Sequence, residues 1–494
     1  MYFLGYDIGS SSVKASLIEG DTGKCIASEF YPSNEMEIIA LHKGWAEQNP
    51  EIWWKNLKLA TLKVLKKSRV SANDVKAIGI AYQMHGLVLV DREKKVLRPS
   101  IIWCDSRAVE TGNKAFENIG KTKSLNHLLN SPGNFTASKL KWVKENETEI
   151  YLKTNKFMLP GDYIAMKLTG EIKTTILGLS ESILWDYKNN SIAEILLDFY
   201  NIDKDKIPEI IPVFANQGQL SAQAASELGL KQGTMVSYRS GDQPNNAFSL
   251  NVLEPGELAA TAGTSGVIYG VSDEIRYDPL SRVNTFTHVN HSDEQNRLGV
   301  LLCINGTGIA NSWTRKMFGN KELSYDSMNK LAGKIPVGSN GLSFLPFGNG
   351  AERVLQNKEI NAQMHGLNFN IHDQSNIIRA VQEGVVFSFY YGMQIMKKTG
   401  VQMKRIKAGN TNMFLSSIFT QTLANLSDTT IELYNTDGAE GAAKGAAIGY
   451  GYYKDFSEAF QNLKIVKTIN PENKKQEYID VYEKWESILN NYIK

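Results

Sequence analysis

Cysteine is nearly missing from this chain: Cys25, Cys104 and Cys303 are the only three in 494 residues. An odd number, widely spaced and outside any metal-ligand pattern, argues for buried reduced thiols over a disulfide framework or a zinc site. An excess of charge of either sign is missing too. Lys+Arg number 54 against Asp+Glu 52, a formal charge of +2, so no strong field draws nucleic acid or an anionic membrane, and a small molecule becomes the expected partner. No apolar run is long enough to span a bilayer. The opening Met1-Tyr-Phe-Leu-Gly-Tyr-Asp7 meets a charge too early for a signal peptide, and the expectation is a cytoplasmic protein. The single-loop phosphate motif, a Gly-rich run closed by Lys-Ser/Thr, is absent, and no Gly-x-Gly-x-x-Gly opens the first helix.

What is present is α/β grammar. The length exceeds what one hydrophobic core serves and implies at least two domains able to enclose a cleft. Residues 1–31 read as an apolar strand, a polar turn at Gly9 to Ser12, and a returning strand Val13-Lys-Ala-Ser-Leu-Ile18. Asn49-Pro50 supplies a cap and a first-turn proline for a helix with Trp53, Leu57, Ala60 and Val64 on one face. Val75 to Ala81 and Leu87 to Val90 follow as buried strands. The grammar restarts near residue 255: Glu257 to Ala262, the small-residue turn Gly263-Thr-Ser-Gly266, then Val267-Ile-Tyr269. The expectation is a duplicated α/β domain. Further on, Ser375 is placed to cap a long helix ending near Gly400. Leu415 to Leu426 reads as another helix, and the polar stretch from Asn470 to Gln476 as a loop before a C-terminal one.

Five segments carry chemistry. Asp7-Ile-Gly9-Ser10-Ser11-Ser12-Val-Lys14 sets a carboxylate at a strand end and hydroxyls and close-approach N–H groups after it, as a polyphosphate with its metal requires. A plain hairpin with a solvated Asp fits the same residues. Gly263-Thr264-Ser265-Gly266 is a second such turn, and two of them could clamp a triphosphate. Gln83-Met84-His85-Gly86 falls between two strands, where side chains reach a ligand or merely fill a core. Trp103-Cys104-Asp105-Ser106-Arg107 joins an apolar ring to a carboxylate and a guanidinium, suited to a polyol and equally to an ion pair. Ser240-Gly241-Asp242-Gln243-Pro244 follows the strand expected at Thr234 to Tyr238. That puts Asp242 at a strand's carboxyl end, where open α/β sheets bind ligands, although the residues also describe a simple turn.

Together these segments resemble the FGGY family of carbohydrate kinases. The likeness also takes in Thr136-Ala-Ser-Lys139-Leu-Lys-Trp142, Leu159-Pro-Gly-Asp-Tyr163, Phe344-Leu-Pro-Phe-x-x-Gly350-x-x-Arg353 and Ile378-Arg-Ala-Val-x-Glu-Gly384. The resemblance implies an α/β fold of two related actin-like ATPase (ribonuclease H-like) domains with an interdomain cleft. Residues 1–245 would carry the sugar site and the first phosphate turn, and residues 246–494 the nucleotide site. The implied substrates are ATP, with Mg²⁺, and a small sugar, the 5-hydroxyl of D-xylulose being the acceptor indicated. Sugar binding would draw the domains together. By the same analogy Asp242 is the catalytic base, and Asp7 helps place Mg-ATP, directly or through water. Met84, His85, Trp103, Asp105 and Gln243 face the sugar. Ser10, Ser11, Lys14, Gly263, Thr264, Gly306, Gly409 and Asn412 line the nucleotide. Gln243 stands where compared family members usually carry Asn, and Ala408-Gly-Asn-Thr-Asn412 is less glycine-rich than the family pattern. A homodimer is left open. The alternatives are a kinase of glycerol, ribulose or gluconate, and a non-phosphorylating actin-like ATPase.

Overall fold

The chain begins as its pattern predicts: β1 (Tyr2–Ile8) turns back antiparallel into β2 (Val13–Glu19), with Ile8 opposite Val13, and β2 pairs with β3 (Cys25–Tyr31). The computed structural model describes residues 1–319 and 322–494. On the other side of β1 lie β4 (Val75–Tyr82) and then β5 (Met235–Gly241), both parallel. The sheet therefore runs β3-β2-β1-β4-β5. The helix Pro50–Ser68 starts at the expected cap, where the Asn49 side chain accepts the Glu51 N–H at 3.0 Å. It buries Trp53, Leu57, Ala60 and Val64 in the core of this sheet.

The other face of the sheet is covered from far away in sequence. The helix Gly438–Gly449, capped by the Asp437 side chain on the Glu440 N–H, lies so close to the strands that side chains are excluded. A Cβ on Gly5 would stand 1.9 Å from the Ala439 carbonyl oxygen, and one on Gly79 would stand 1.9 Å from that of Ala442. Backbone meets backbone here, and only glycine permits it. The first compact unit is accordingly discontinuous, comprising Met1–Asn251, Phe286–His291 and Thr436–Leu463.

The second unit, Val252–Thr285, Ser292–Asn435 and Lys464–Lys494, repeats the scheme. β6 (Glu257–Ala262) and β7 (Gly266–Ser272) form the antiparallel hairpin, and β7 pairs with β8 (Leu298–Ile304). β9 (Arg405–Gly409) and β10 (Thr430–Tyr434) add in parallel on the β6 side. The order β8-β7-β6-β9-β10 matches β3-β2-β1-β4-β5 strand for strand, the duplication the sequence implied. Beyond β10, Ile465–Ile469 closes this sheet's edge antiparallel.

Three local expectations need correction. The long helix is Gln374–Lys398, and its cap is Asp373, not Ser375, because the Asp373 carboxylate already accepts the Ser375 N–H at 2.7 Å. The helix expected from Leu415 starts at Ser417, since Asn412–Leu415 forms a tighter 3₁₀ turn and Ser416 supplies the cap. The cysteines are free but not buried: Cys104 is exposed and the other two are half-buried. No helix among the described residues is long and apolar enough to cross a membrane.

Candidate active site

In the first unit the C-terminal ends of β1, β4 and β5 gather most of the residues singled out above. Asp7 is the next-to-last residue of β1, and the turn after it is closed by the Gly9 N–H donating to the Ser12 carbonyl at 3.0 Å. Gln48, a buried amide that no motif marked, braces this turn. Its Nε2 donates to the Ser10 carbonyl at 2.7 Å, and its Oε1 accepts the Trp53 indole N–H at 3.0 Å. Ser11 is exposed, and Trp103, 48% exposed, points its indole N–H at the Ser10 hydroxyl across 3.4 Å. Lys14 pairs with the Asp437 carboxylate.

Asp242 follows β5 directly and opens the helix Asp242–Ser249, so the segment is a strand-to-helix corner and not a simple turn. Its carboxylate accepts the Gln243 side-chain N–H at 3.2 Å. Burial pushes its pKa up to about 7, with the charge of Asp7 adding to the rise and the Gln243 hydrogen bonds opposing it. Asp7 is pushed up to about 6, chiefly by burial and next by the charge of Asp437, against the pull of Lys14. These are the shifts expected where carboxylates crowd an enclosed site. Gly438 completes the corner: a Cβ there would stand 2.5 Å from Asp7 Oδ2 and 3.0 Å from Asn246 Oδ1.

The Gln83–Gly86 segment follows β4. His85 sits in the left-handed region at φ 59°, with Nδ1 2.9 Å from the Glu181 carbonyl, and its ring packs edge-on against Phe135 at 4.7 Å. Lys139, buried, donates to the His85 carbonyl at 2.8 Å. Burial lowers the Lys139 pKa to about 8. The Met84 side chain lies under Gly241, where a Cβ would meet its Cγ at 2.6 Å. Asp105 is fully buried, and both its oxygens are engaged, by Arg107 and by the Ala46 N–H at 2.6 Å. Arg107 in turn lies 3.7 Å from the centre of the Trp45 ring.

In the second unit the corresponding strand ends bring Gly263, Thr264, Gly306, Gly409 and Asn412 together. The Gly308 N–H donates to the Gly263 carbonyl at 2.8 Å and the Ile309 N–H to that of Thr264 at 3.1 Å. A Cβ on Gly306 would stand 1.5 Å from the Pro346 carbonyl, so that turn is wedged against the chain before Phe347. Asn412, itself in the left-handed region at φ 53°, has its amide 3.8 Å from the position of a Cβ on Gly263. Glu352, 1% exposed, accepts the Asn305 N–H at 3.0 Å beneath the same turn.

Two family profiles cover this chain: the N-terminal domain of the FGGY family of carbohydrate kinases over residues 2–249, and the C-terminal domain of that family over residues 258–452. The chain belongs to the FGGY family of carbohydrate kinases. It is 29% identical over 473 residues to the xylulose kinase of Bacillus subtilis (strain 168), covering 94% of this chain and 91% of that one. It is 30% identical over 470 residues to the xylulose kinase of Staphylococcus xylosus, covering 92% of each. Among solved structures it is similar to the xyloylose kinase from Brucella ovis, with a TM-score of 0.87 and 26% identity over 99% of this chain and 98% of that one. The expected family and the two-unit α/β fold are borne out.

Proposed function

We propose that this kinase transfers the γ-phosphoryl group of ATP to the 5-hydroxyl of D-xylulose, giving D-xylulose 5-phosphate and ADP, in the cytoplasm where ATP is supplied. The observation that carries the substrate is the likeness to xylulose kinases along nearly the whole chain, 29% and 30% identical. The chemistry rests on Asp242. A base works best with a pKa near the operating pH, and a carboxylate raised to about 7 meets that condition. It takes the proton of the attacking hydroxyl as the phosphoryl group transfers, a contribution of about 10² to 10⁴ in rate.

Mg²⁺ fits the Asp7 corner. Among the described residues no group of three or more His, Cys, Asp or Glu side chains could cage a metal. Mg²⁺ needs no cage, since it is commonly held by one or two carboxylates, waters and substrate phosphates. Asp7, its corner cleared of side chains by Gly438, is the residue that would hold it, directly or through water. When bound, the ion neutralises charge on the phosphates. Ser10, Ser11 and Lys14 act on the phosphate side, and Gly263, Thr264, Gly306, Gly409 and Asn412 line the nucleotide. Met84, His85, Trp103 and Gln243 act on the sugar side. Asp105 acts there by holding the segment from Trp103 to Arg107 in place, because its own oxygens are already engaged by the Ala46 N–H and by the buried Arg107.

The test is turnover with ATP and Mg²⁺ across D-xylulose, D-ribulose, glycerol and D-gluconate, read by ADP release. D-xylulose should give the highest kcat/KM by at least about tenfold, the usual worth of one well-made buried hydrogen bond to substrate. A higher value with any other acceptor would overturn the substrate, and ATP turnover indifferent to all four would overturn the kinase reaction.

A further inference from the structure

Beneath the His85 turn lies a carboxyl group that no sequence motif marked. Glu181 ends the helix Ile176–Glu181 and is 2% exposed. Its Oε1 accepts the Tyr82 hydroxyl at 2.6 Å, its Oε2 accepts the His85 N–H at 3.3 Å, and its carbonyl oxygen is 2.9 Å from His85 Nδ1. A carbonyl oxygen can only accept, so this contact puts the ring proton on Nδ1 and sets the plane of the imidazole. The same Oε2 lies 3.2 Å from where a Cβ on Gly241 would stand, so the carboxyl also abuts the corner that carries Asp242.

His85 needs such support. A histidine at φ 59° persists only where its surroundings hold it there. Lys139 holds the carbonyl side of the residue, and Glu181 holds its N–H and its ring. We propose that Glu181 is a positioning residue that fixes the His85 turn for sugar binding, through hydrogen bonds and shape and not through charge. This rests on His85 being a sugar contact. The groups that act on the carboxyl are Tyr82, His85, Asp242, Asp162 and the Lys139 ammonium. Burial raises its pKa well above the usual carboxylate range, and the charges of Asp242 and Asp162 push the same way, against hydrogen bonds from Tyr82 and His85.

The experiment compares Glu181→Gln, Glu181→Ala and His85→Ala by D-xylulose kcat/KM, ATP affinity and melting temperature. Glu181→Ala should lower D-xylulose kcat/KM by about tenfold or more with ATP affinity within about twofold of wild type. Glu181→Gln, a neutral near-isostere, should restore it to within about threefold of wild type. A purely structural role would lower the melting temperature of Glu181→Ala while leaving D-xylulose kcat/KM near wild type at low temperature, and that result overturns the proposal. Equal damage from Gln and Ala also overturns it, because charge would then matter. Should Glu181→Ala not fold, Glu181→Met replaces it under the same criteria. His85→Ala separates the two levels: if it too leaves D-xylulose kcat/KM unchanged, the sugar contact itself is wrong. If it lowers kcat/KM where Glu181→Ala does not, only the role of Glu181 fails.

Discussion

The Asn245 side-chain amide donates to the Gly438 carbonyl at 2.8 Å, joining two residues 193 positions apart. Asn245 belongs to the helix opened by Asp242, and Gly438 opens the helix that faces Asp7. One buried hydrogen bond thus ties the helix that carries Asp242 to the helix that packs against Asp7 of β1.

Asp242→Asn tests the base. Turnover with D-xylulose should fall by about 10² to 10⁴, the range of general-base contributions, while ATP still binds with close to wild-type affinity by calorimetry. Near-normal turnover would remove Asp242 from that role.

Asp7→Ala should raise the Mg²⁺ concentration needed for half-maximal rate and lower the maximal rate together, since Asp7 lies just before the turn from Gly9 to Ser12 proposed to hold the phosphates. The measurement is initial rate against free Mg²⁺ at fixed ATP, and a curve superimposable on wild type contradicts the assignment.

The seating of the Gly438–Gly449 helix predicts that Gly79→Ala is far more harmful than an ordinary small substitution. Its Cβ would be driven to 1.9 Å from the Ala442 carbonyl. Overpacking of this kind costs about 1 to 3 kcal/mol or more, readable as a clear drop in the melting temperature. An unchanged melting curve would show that the helix can lift off the sheet at no cost.

Glu352 gives a stability prediction with a definite sign. Burial raises its pKa from the ordinary 4.5 to about 7, so between those values the folded state holds a proton that the unfolded state has lost. Its contribution is therefore greatest below pH 4.5 and is lost as the pH rises to 7, on the order of 3 kcal/mol. Glu352→Gln keeps an acceptor for the Asn305 N–H and lacks the titration. The variant should gain stability relative to wild type on going from pH 5 to pH 7.5 in denaturant melts, and parallel pH profiles would refute it.

Much of the architecture was legible locally. The apolar strand, small polar turn and returning strand in Tyr2 to Ile18 and again in Glu257 to Tyr269 mark two hairpins, and both exist as antiparallel pairs. The strand before Asp242 and the capped helix after Asn49 were equally visible, because period, proline and cap chemistry act within a few residues. The corrections at Asp373 and Ser416 concern one or two residues, the scale on which neighbouring side chains compete for the same free N–H groups.

The sequence by itself thus determined the elements, their order and the chemical groups at strand ends, including Asp7, His85 and Asp242. Only the tertiary structure decided that Thr436–Leu463 belongs with the first unit, that Glu181 bonds the His85 N–H and Gln48 the Ser10 carbonyl, and that the Asp105 oxygens are already engaged. The physical reason is range. Hydrophobic period and turn chemistry are written over neighbouring residues, whereas burial, hydrogen-bond partners and pKa shifts depend on groups tens to hundreds of positions away that share no local pattern.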